Sequence, residues 1–196
     1  MGCGREGLYI CKHCEIFLSE TDNENFSVLS VWEHEGLAER LILKIKDGQH
    51  HIIEELVEKA FARIELSLPQ SVVITYVPMF RKKQREQGFN PAELIARKLA
   101  GVFSPRKSIV CLLDKAKDNQ SQSGLEKEAS RENVRNVFKY CASFVPESVL
   151  LVDDFCATGS TIEECIRILK NKGVKNTWAF TLTKKTRLAK RGAQML

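Results

Sequence analysis

The sequence predicts an α/β fold built on a mostly parallel sheet flanked by helices. Short apolar runs alternate with stretches of helical spacing over most of its 196 residues. One run, residues 149–152, is apolar throughout, as is typical of a strand buried on both faces. Two aspartates and a loop of small and hydroxylated residues follow it and lead into a helix. Strand, loop and helix in this order are characteristic of a parallel sheet.

The first half of the chain supplies two helices and a strand. Residues 52–64 have helical spacing with one apolar face. Residues 72–77 are rich in β-branched side chains, and Pro78 stops the strand that they predict. Asn90 is a good N-cap for a helix extending to about residue 102, because Pro91 then takes the first helical position.

The second half continues the alternation. Its predicted elements are a strand at 108–113, a polar loop at 115–124, a segment at 125–137 that forms a helix either by itself or only with ligand, the strand at 149–152, a helix at 161–172 closed by Gly173, and a strand at 177–182.

Charge and hydropathy restrict the class of protein. Thirty basic residues outnumber 25 acidic ones, a modest excess that suits an anionic small ligand or a nucleic acid equally. The densest basic run, residues 184–191, is interpreted as a solvated terminal helix or as a nucleic-acid contact. It lacks the interleaved aromatic residues on which the bases of a single strand would stack. No apolar stretch approaches the roughly 20 residues that span a bilayer, and no signal peptide is evident. We therefore expect a cytoplasmic protein without membrane insertion.

The N-terminal segment, residues 1–30, is predicted to be a Cys-rich, zinc-ribbon-like appendage with a linker, and residues 31–196 to be the main domain. The chain has seven cysteines, an odd number, so a disulfide framework is not expected. Cys3, Cys11 and Cys14 supply three of the four ligands that structural zinc needs. Two alternatives stay open: zinc with a fourth ligand from His13 or from upstream, or a tail with spare thiols.

The most informative residues follow the apolar run. Asp153 and Asp154 end the strand, and residues 157–161 form the loop at the carboxyl end of the sheet, where open α/β folds bind ligands. Backbone N–H groups of such a loop and of the following helix N-terminus suit a phosphate. Adjacent carboxylates suit the vicinal hydroxyls of a sugar. Phosphate and diol together describe a ribose 5-phosphate.

Two other interpretations of the acidic pair are less well supported by the sequence. A Walker B element would require a P-loop after a strand. The nearest match, residues 101–108, has Arg106 at the second glycine position and precedes a strand. A purely structural pair is disfavoured because two carboxylates at the end of a buried strand repel each other unless a diol, a cation or an arginine is present.

This stretch resembles the PRPP-binding motif of type I phosphoribosyltransferases. The resemblance implies that Asp153 and Asp154 meet the ribose hydroxyls as the catalytic pair. It implies Mg²⁺ on the pyrophosphate and an acceptor-selecting hood, here formed by residues 27–50. The remaining PRPP-binding residues that it implies are Phe155, Ala157, Thr158, Gly159, Ser160 and Thr161.

A second segment narrows the resemblance. Residues 76–94 contain Val-Pro, a basic run and Gly-Phe-Asn, and with the Cys cluster they make the chain similar to the ComF family. That family comprises type I phosphoribosyltransferase-like proteins linked to natural competence and DNA uptake. This chain departs from the family pattern at Gln87, where arginine is usual, and at Pro91, where glutamine is usual.

The resemblance also implies a pyrophosphate-binding loop after the strand at residues 72–77. Pro78, Met79 and Phe80 would supply backbone groups, and Arg81 or Arg85 would supply charge. The alternative for the basic run is a solvated helix start. Lys44, in the ComF-like stretch at residues 43–46, is a further candidate contact.

Three functional hypotheses follow from the resemblance. The first is an enzyme that transfers phosphoribosyl from PRPP to a nitrogen nucleophile and releases pyrophosphate. The second is a non-catalytic PRPP-binding accessory or sensor that docks a protein of the competence machinery. The third is a protein that binds single-stranded DNA directly. The sequence does not identify the acceptor.

Overall fold

The structure is a computed structural model that describes residues 28–63, 68–103, 109–116 and 137–185. Within these ranges the chain forms six strands and five helices. In chain order they are β1 Leu29–Glu33, α1 Gly36–Lys46, α2 His51–Phe61, β2 Val73–Tyr76, α3 Arg81–Gln87, α4 Pro91–Phe103, β3 Leu113–Lys115, β4 Phe138–Tyr140, β5 Ser148–Cys156, α5 Ser160–Asn171 and β6 Asn176–Lys184.

The main sheet has the strand order β1-β6-β5-β2, and every pair in it is parallel. This confirms the predicted α/β fold with a parallel sheet flanked by helices. Strand β5 has neighbours on both sides, so its carboxyl end is surrounded by the ends of β6 and β2. Strands β3 and β4 form a separate antiparallel pair.

The core has two layers, one on each face of the sheet. Alternate residues of β5 point to opposite faces. Leu150 and Val152 pack with α1, α2 and α4, whereas Val149 and Leu151 pack with α5 and with β3 and β4. All four are buried, which explains why the sequence of this strand is apolar without interruption.

Several predicted elements are confirmed and one is wrong. Helices α2, α4 and α5 and strands β2, β5 and β6 lie where the sequence predicted them, within a few residues. Of the strand predicted at 108–113, residues 109–112 form no regular strand, and only Leu113 lies in one, as the first residue of β3. Ile109 makes only an isolated parallel bridge to Ile74, and the Leu112 N–H donates to the Thr75 hydroxyl, 3.3 Å away. The Leu112 N–H is thus bonded to a side-chain oxygen of β2 and not to a backbone carbonyl of that strand, so regular strand pairing with β2 stops.

Strand β1 was not predicted. It pairs with β6, so the sheet begins at Leu29, two residues before the predicted start of the main domain. Cys3, Cys11 and Cys14, residues 117–136 and the basic run beyond Lys185 lie outside the described residues. Lys184 itself ends β6. Among the described helices, none combines the length and the apolar character needed to cross a membrane.

Candidate functional site

The parallel register brings the two predicted halves of the site together. Tyr76, the last residue of β2, lies opposite Val152 of β5. The Val77 N–H then donates to the Val152 carbonyl, 2.9 Å away. Asp153 follows directly on one strand and Pro78 on the other. The acidic pair and the loop predicted to bind pyrophosphate therefore leave the same edge of the sheet side by side.

The loop between β5 and α5 has the features of a phosphate cradle. Gly159 is the N-cap of α5 and has φ +84°, a conformation that favours glycine. A glycine has no side chain, so Gly159 cannot itself cap the N–H groups of the first turn. The Thr158 hydroxyl lies 2.9 Å from the Ser160 hydroxyl, and the Ser160 N–H donates to the Thr158 oxygen, 3.4 Å away. Hydroxyls and amides are thus gathered at the positive end of a helix.

The acidic pair is electrostatically strained. The Asp154 N–H donates to Asp153 Oδ1, 3.0 Å away. Burial raises the pKa of the Asp153 carboxyl well above its ordinary value, and the neighbouring Asp154 adds to this through its charge and a hydrogen bond between the two carboxyl groups. Lys46 acts in the opposite direction. Such a shift is common where carboxylates are held close for binding or catalysis.

Lys46, which sequence reasoning did not single out, contacts the acidic pair. Its Nζ lies 2.8 Å from Asp154 Oδ2, an ion pair without the alignment of a hydrogen bond. The same ComF-like stretch led to Lys44 as the candidate contact, but the residue that reaches the acidic pair is Lys46, the last residue of α1. Nothing local in the sequence distinguishes the two lysines, because the choice depends on how α1 packs against the sheet.

His34 also reaches this end of β5. Its ring lies 3.9 Å from the Phe155 ring, and its Nδ1 lies 3.0 Å from the Thr183 hydroxyl. That hydroxyl donates to the Asp154 carbonyl, 3.4 Å away. Burial lowers the pKa of His34. Phe155, predicted to contact ligand, therefore packs against His34 and links the β1–α1 connection to β5.

The loop after β2 is fastened to the next helix by Asn90. Its Nδ2 donates to the Val77 carbonyl, 3.0 Å away, and its Oδ1 accepts from the Ala92 N–H at 3.1 Å. Asn90 therefore caps α4, as predicted, and also fixes the start of the loop. Pro78 is buried, whereas Met79 and Phe80 are partly exposed.

The two arginines predicted to supply charge to this loop lie in the helix that follows it, α3, and both are exposed to solvent. The Arg81 side chain is 78% exposed, and its guanidinium lies 3.5 Å from Asp114 Oδ2, which Lys139 approaches at the same distance. Arg85 is exposed. Gln87, which stands where the ComF family has arginine, has a buried Nε2 without a hydrogen-bond partner in the described structure. Among the described residues, no group of three or more His, Cys, Asp or Glu side chains could hold a metal ion.

Comparison with known proteins identifies the class. The phosphoribosyl transferase domain family matches residues 85–192, more than half of the chain, and the chain belongs to this family. It is also similar to Competence protein F of Haemophilus influenzae, with 25% identity over 204 aligned positions that cover 93% of this chain and 82% of that protein. The resemblance to the ComF family is thereby confirmed.

Further similarities are weaker or shorter. DNA utilization protein YhgH of Salmonella typhi is 25% identical over 130 residues, or 65% of this chain and 56% of that protein. The protein of the same name from Escherichia coli O157:H7 is 24% identical over 122 residues, or 60% of this chain. The chain spans about half the length of these two relatives. The AQ2163 protein of Aquifex aeolicus has a TM-score of 0.41 and 16% identity over 84% of this chain and 91% of that one.

Proposed function

We propose that this ComF-like protein binds PRPP and transfers its phosphoribosyl group to a nitrogen nucleophile, with release of pyrophosphate. The observation that carries the proposal is the carboxyl end of β5. There the acidic pair lies between a phosphate cradle at the start of α5 and the loop that follows β2. A monophosphate site, a diol site and a pyrophosphate site in this order match the layout of PRPP, in which the ribose lies between the 5′-phosphate and the pyrophosphate.

Each group of residues has a distinct role in this reaction. Asp153 and Asp154 accept hydrogen bonds from the ribose hydroxyls, and their charge favours the positive character that develops on the ring. The cradle at 157–161 fixes the 5′-phosphate, so the anomeric carbon is held in place. The nitrogen lone pair forms the new bond to this carbon while the bond between the same carbon and the pyrophosphate oxygen breaks. Pyrophosphate leaves with the bonding electrons, and the nitrogen releases its proton to solvent.

The residues present are compatible with Mg²⁺ on the pyrophosphate. Mg²⁺ prefers oxygen ligands, is commonly held by one or two carboxylates together with substrate phosphates, and keeps several waters. The partly exposed Asp153 and Asp154 are the carboxylates in reach. When bound, Mg²⁺ would neutralise charge on the leaving pyrophosphate.

The biological role is part of the same proposal. Similarity to Competence protein F over 93% of the chain supports a role in competence or DNA utilization. Zinc at Cys3, Cys11 and Cys14 and a partner in the competence machinery remain predictions from the sequence.

Calorimetry with PRPP and Mg²⁺ tests the binding, with ribose 5-phosphate as the ligand that lacks pyrophosphate. The matched variants are Asp154→Asn, at the carboxyl end of β5, and Glu147→Gln, next to the amino end of the same strand. We expect PRPP binding that is weakened about ten- to a hundredfold in the first variant and kept in the second. A screen of amines and bases for pyrophosphate release then tests transfer. A folded wild-type protein that binds neither ligand would contradict the proposal.

A further inference from the structure

Two adjacent carboxylates at the end of a buried strand need a compensating charge. Like charges this close disfavour ionisation of both, and burial strengthens the effect. An anionic ligand approaching the pair would add further negative charge. A cation fixed beside the pair would reduce the repulsion between the two carboxylates and their repulsion of an anionic ligand.

Lys46 is the cation in direct contact with the pair. Its Nζ is 2.8 Å from Asp154 Oδ2, and the two side chains are 38% and 14% exposed. The Lys175–Glu147 pair, near the opposite end of β5, shows the contrast: at 3.1 Å its side chains are 73% and 64% exposed. Exposed pairs of that kind are screened by water and contribute little. The enclosed contact at Asp154 is screened less.

The fold fixes the position of this ammonium. Lys46 is the last residue of α1, whose buried residues Leu41, Ile42 and Ile45 anchor the helix in the core. A helix C-terminus also favours a positive side chain, because the partial charge of the helix dipole there is negative. Lys46 is therefore presented to the acidic strand by a packed helix.

We propose that Lys46 is a positioning residue of the ligand site: its ammonium balances the acidic pair and fixes the Asp154 carboxylate for the ribose hydroxyls. This inference rests on the proposed function. The ammonium need not leave when ligand binds. A carboxylate has two oxygens and about four acceptor positions. Asp154 can therefore accept hydrogen bonds from the ribose hydroxyls while Lys46 stays in contact with it.

The other charged groups near the site do not duplicate this contact. They are Asp153 on β5, Glu39 on α1, Glu163 on α5, His34 before α1, and Lys184 and Lys185 at the end of β6. The acidic members add negative charge. His34 favours its neutral form because burial lowers its pKa. Lys184 and Lys185 follow a different strand, and Lys185 is exposed.

The test measures ribose 5-phosphate and PRPP affinity by calorimetry. We expect Lys46→Met to weaken both ligands about tenfold, the loss expected for one charge-assisted contact. Lys46→Arg should restore most of the affinity. Lys175→Met, which removes the exposed ion pair, should bind as the wild type does.

A double-mutant cycle with Asp154→Asn distinguishes positioning from direct contact. If Lys46 acts through Asp154, Lys46→Met has little further effect in the Asp154→Asn background. A full additional loss there, or an unchanged or tighter affinity in the single variant, would overturn the inference. Lys46→Gln replaces Lys46→Met in these measurements if the methionine variant does not fold. Failure of the wild type to bind either ligand would instead overturn the proposed function.

Discussion

The carboxyl ends of β5 and β2 differ in how their side chains are held. At β5, Asp154 is in an ion pair with Lys46 at 2.8 Å, and the Thr158 and Ser160 hydroxyls are in mutual contact. At β2, backbone atoms are fixed by Asn90, but the Arg81 cation is 78% exposed and reaches Asp114 only at 3.5 Å. One half of the candidate site is preorganised, and the other presents long, solvated side chains.

This difference has a consequence for binding. Groups already fixed in place lose little conformational freedom when a ligand arrives, whereas an exposed arginine must be immobilised and partly desolvated. We therefore expect the ribose phosphate half to supply most of the affinity and the pyrophosphate half to add a smaller increment. Substitutions in the two halves test this ranking, and the largest effect is expected at Asp154.

Asp154→Asn should weaken PRPP and ribose 5-phosphate alike, by about ten- to a hundredfold. A hydrogen bond to a charged group contributes roughly 1.5–3 kcal/mol, and asparagine keeps the shape while it removes the charge. The fold should survive because the change relieves repulsion between adjacent carboxylates. Calorimetry measures the affinity and thermal unfolding the fold. A folded variant with wild-type affinity would refute the assignment of this site.

Thr158→Ala should weaken both ligands by about two- to tenfold, in line with a neutral hydrogen bond of roughly 0.5–1.5 kcal/mol. Both ligands carry the 5′-phosphate, so the ratio of their affinities should stay constant. Calorimetry with the two ligands measures this ratio. A loss confined to PRPP would mean that the cradle binds pyrophosphate instead.

Arg81→Met should weaken PRPP only about two- to fivefold, because an exposed charge contributes roughly 1 kcal/mol or less. Ribose 5-phosphate should be unaffected, since it lacks pyrophosphate. Arg167→Met is the control, because it removes an arginine of α5 that pairs with Glu164. An Arg81 effect larger than that of Asp154→Asn would reverse the ranking of the two halves.

The last expected effect is on stability as pH changes. The pKa of Asp153 is raised in the folded protein, so the folded state holds this proton more tightly than the unfolded chain does. Its contribution to the free energy of unfolding is fully present below the ordinary carboxyl pKa and is lost as pH rises through the raised pKa. Ligand affinity should change in the opposite direction, because the ionised carboxylate is the better acceptor.

Denaturant unfolding and calorimetry over the same pH series measure the two trends. Asp153→Asn should flatten the stability profile relative to the wild type. If the wild type and this variant depend on pH in the same way, the shift does not originate at Asp153.

Local signals in the sequence determined much of the fold. The apolar run of β5, the helical face of α2 and the Asn90-Pro91 start of α4 all appear where they were predicted, because each depends on residues close together in the chain. The order of acidic pair, small loop and helix likewise located the candidate site. The roles assigned to these residues remain predictions.

Tertiary structure decided the contacts between distant segments. Strand β1 is stabilised by pairing with β6, about 150 residues later, and its five residues carry no comparable local signal. The contacts of Lys46 with Asp154 and of His34 with Phe155 likewise join segments more than 100 residues apart. Packing of α1 selects Lys46 over Lys44. Such choices depend on the three-dimensional arrangement of helix and sheet, which the spacing of residues along one segment does not encode.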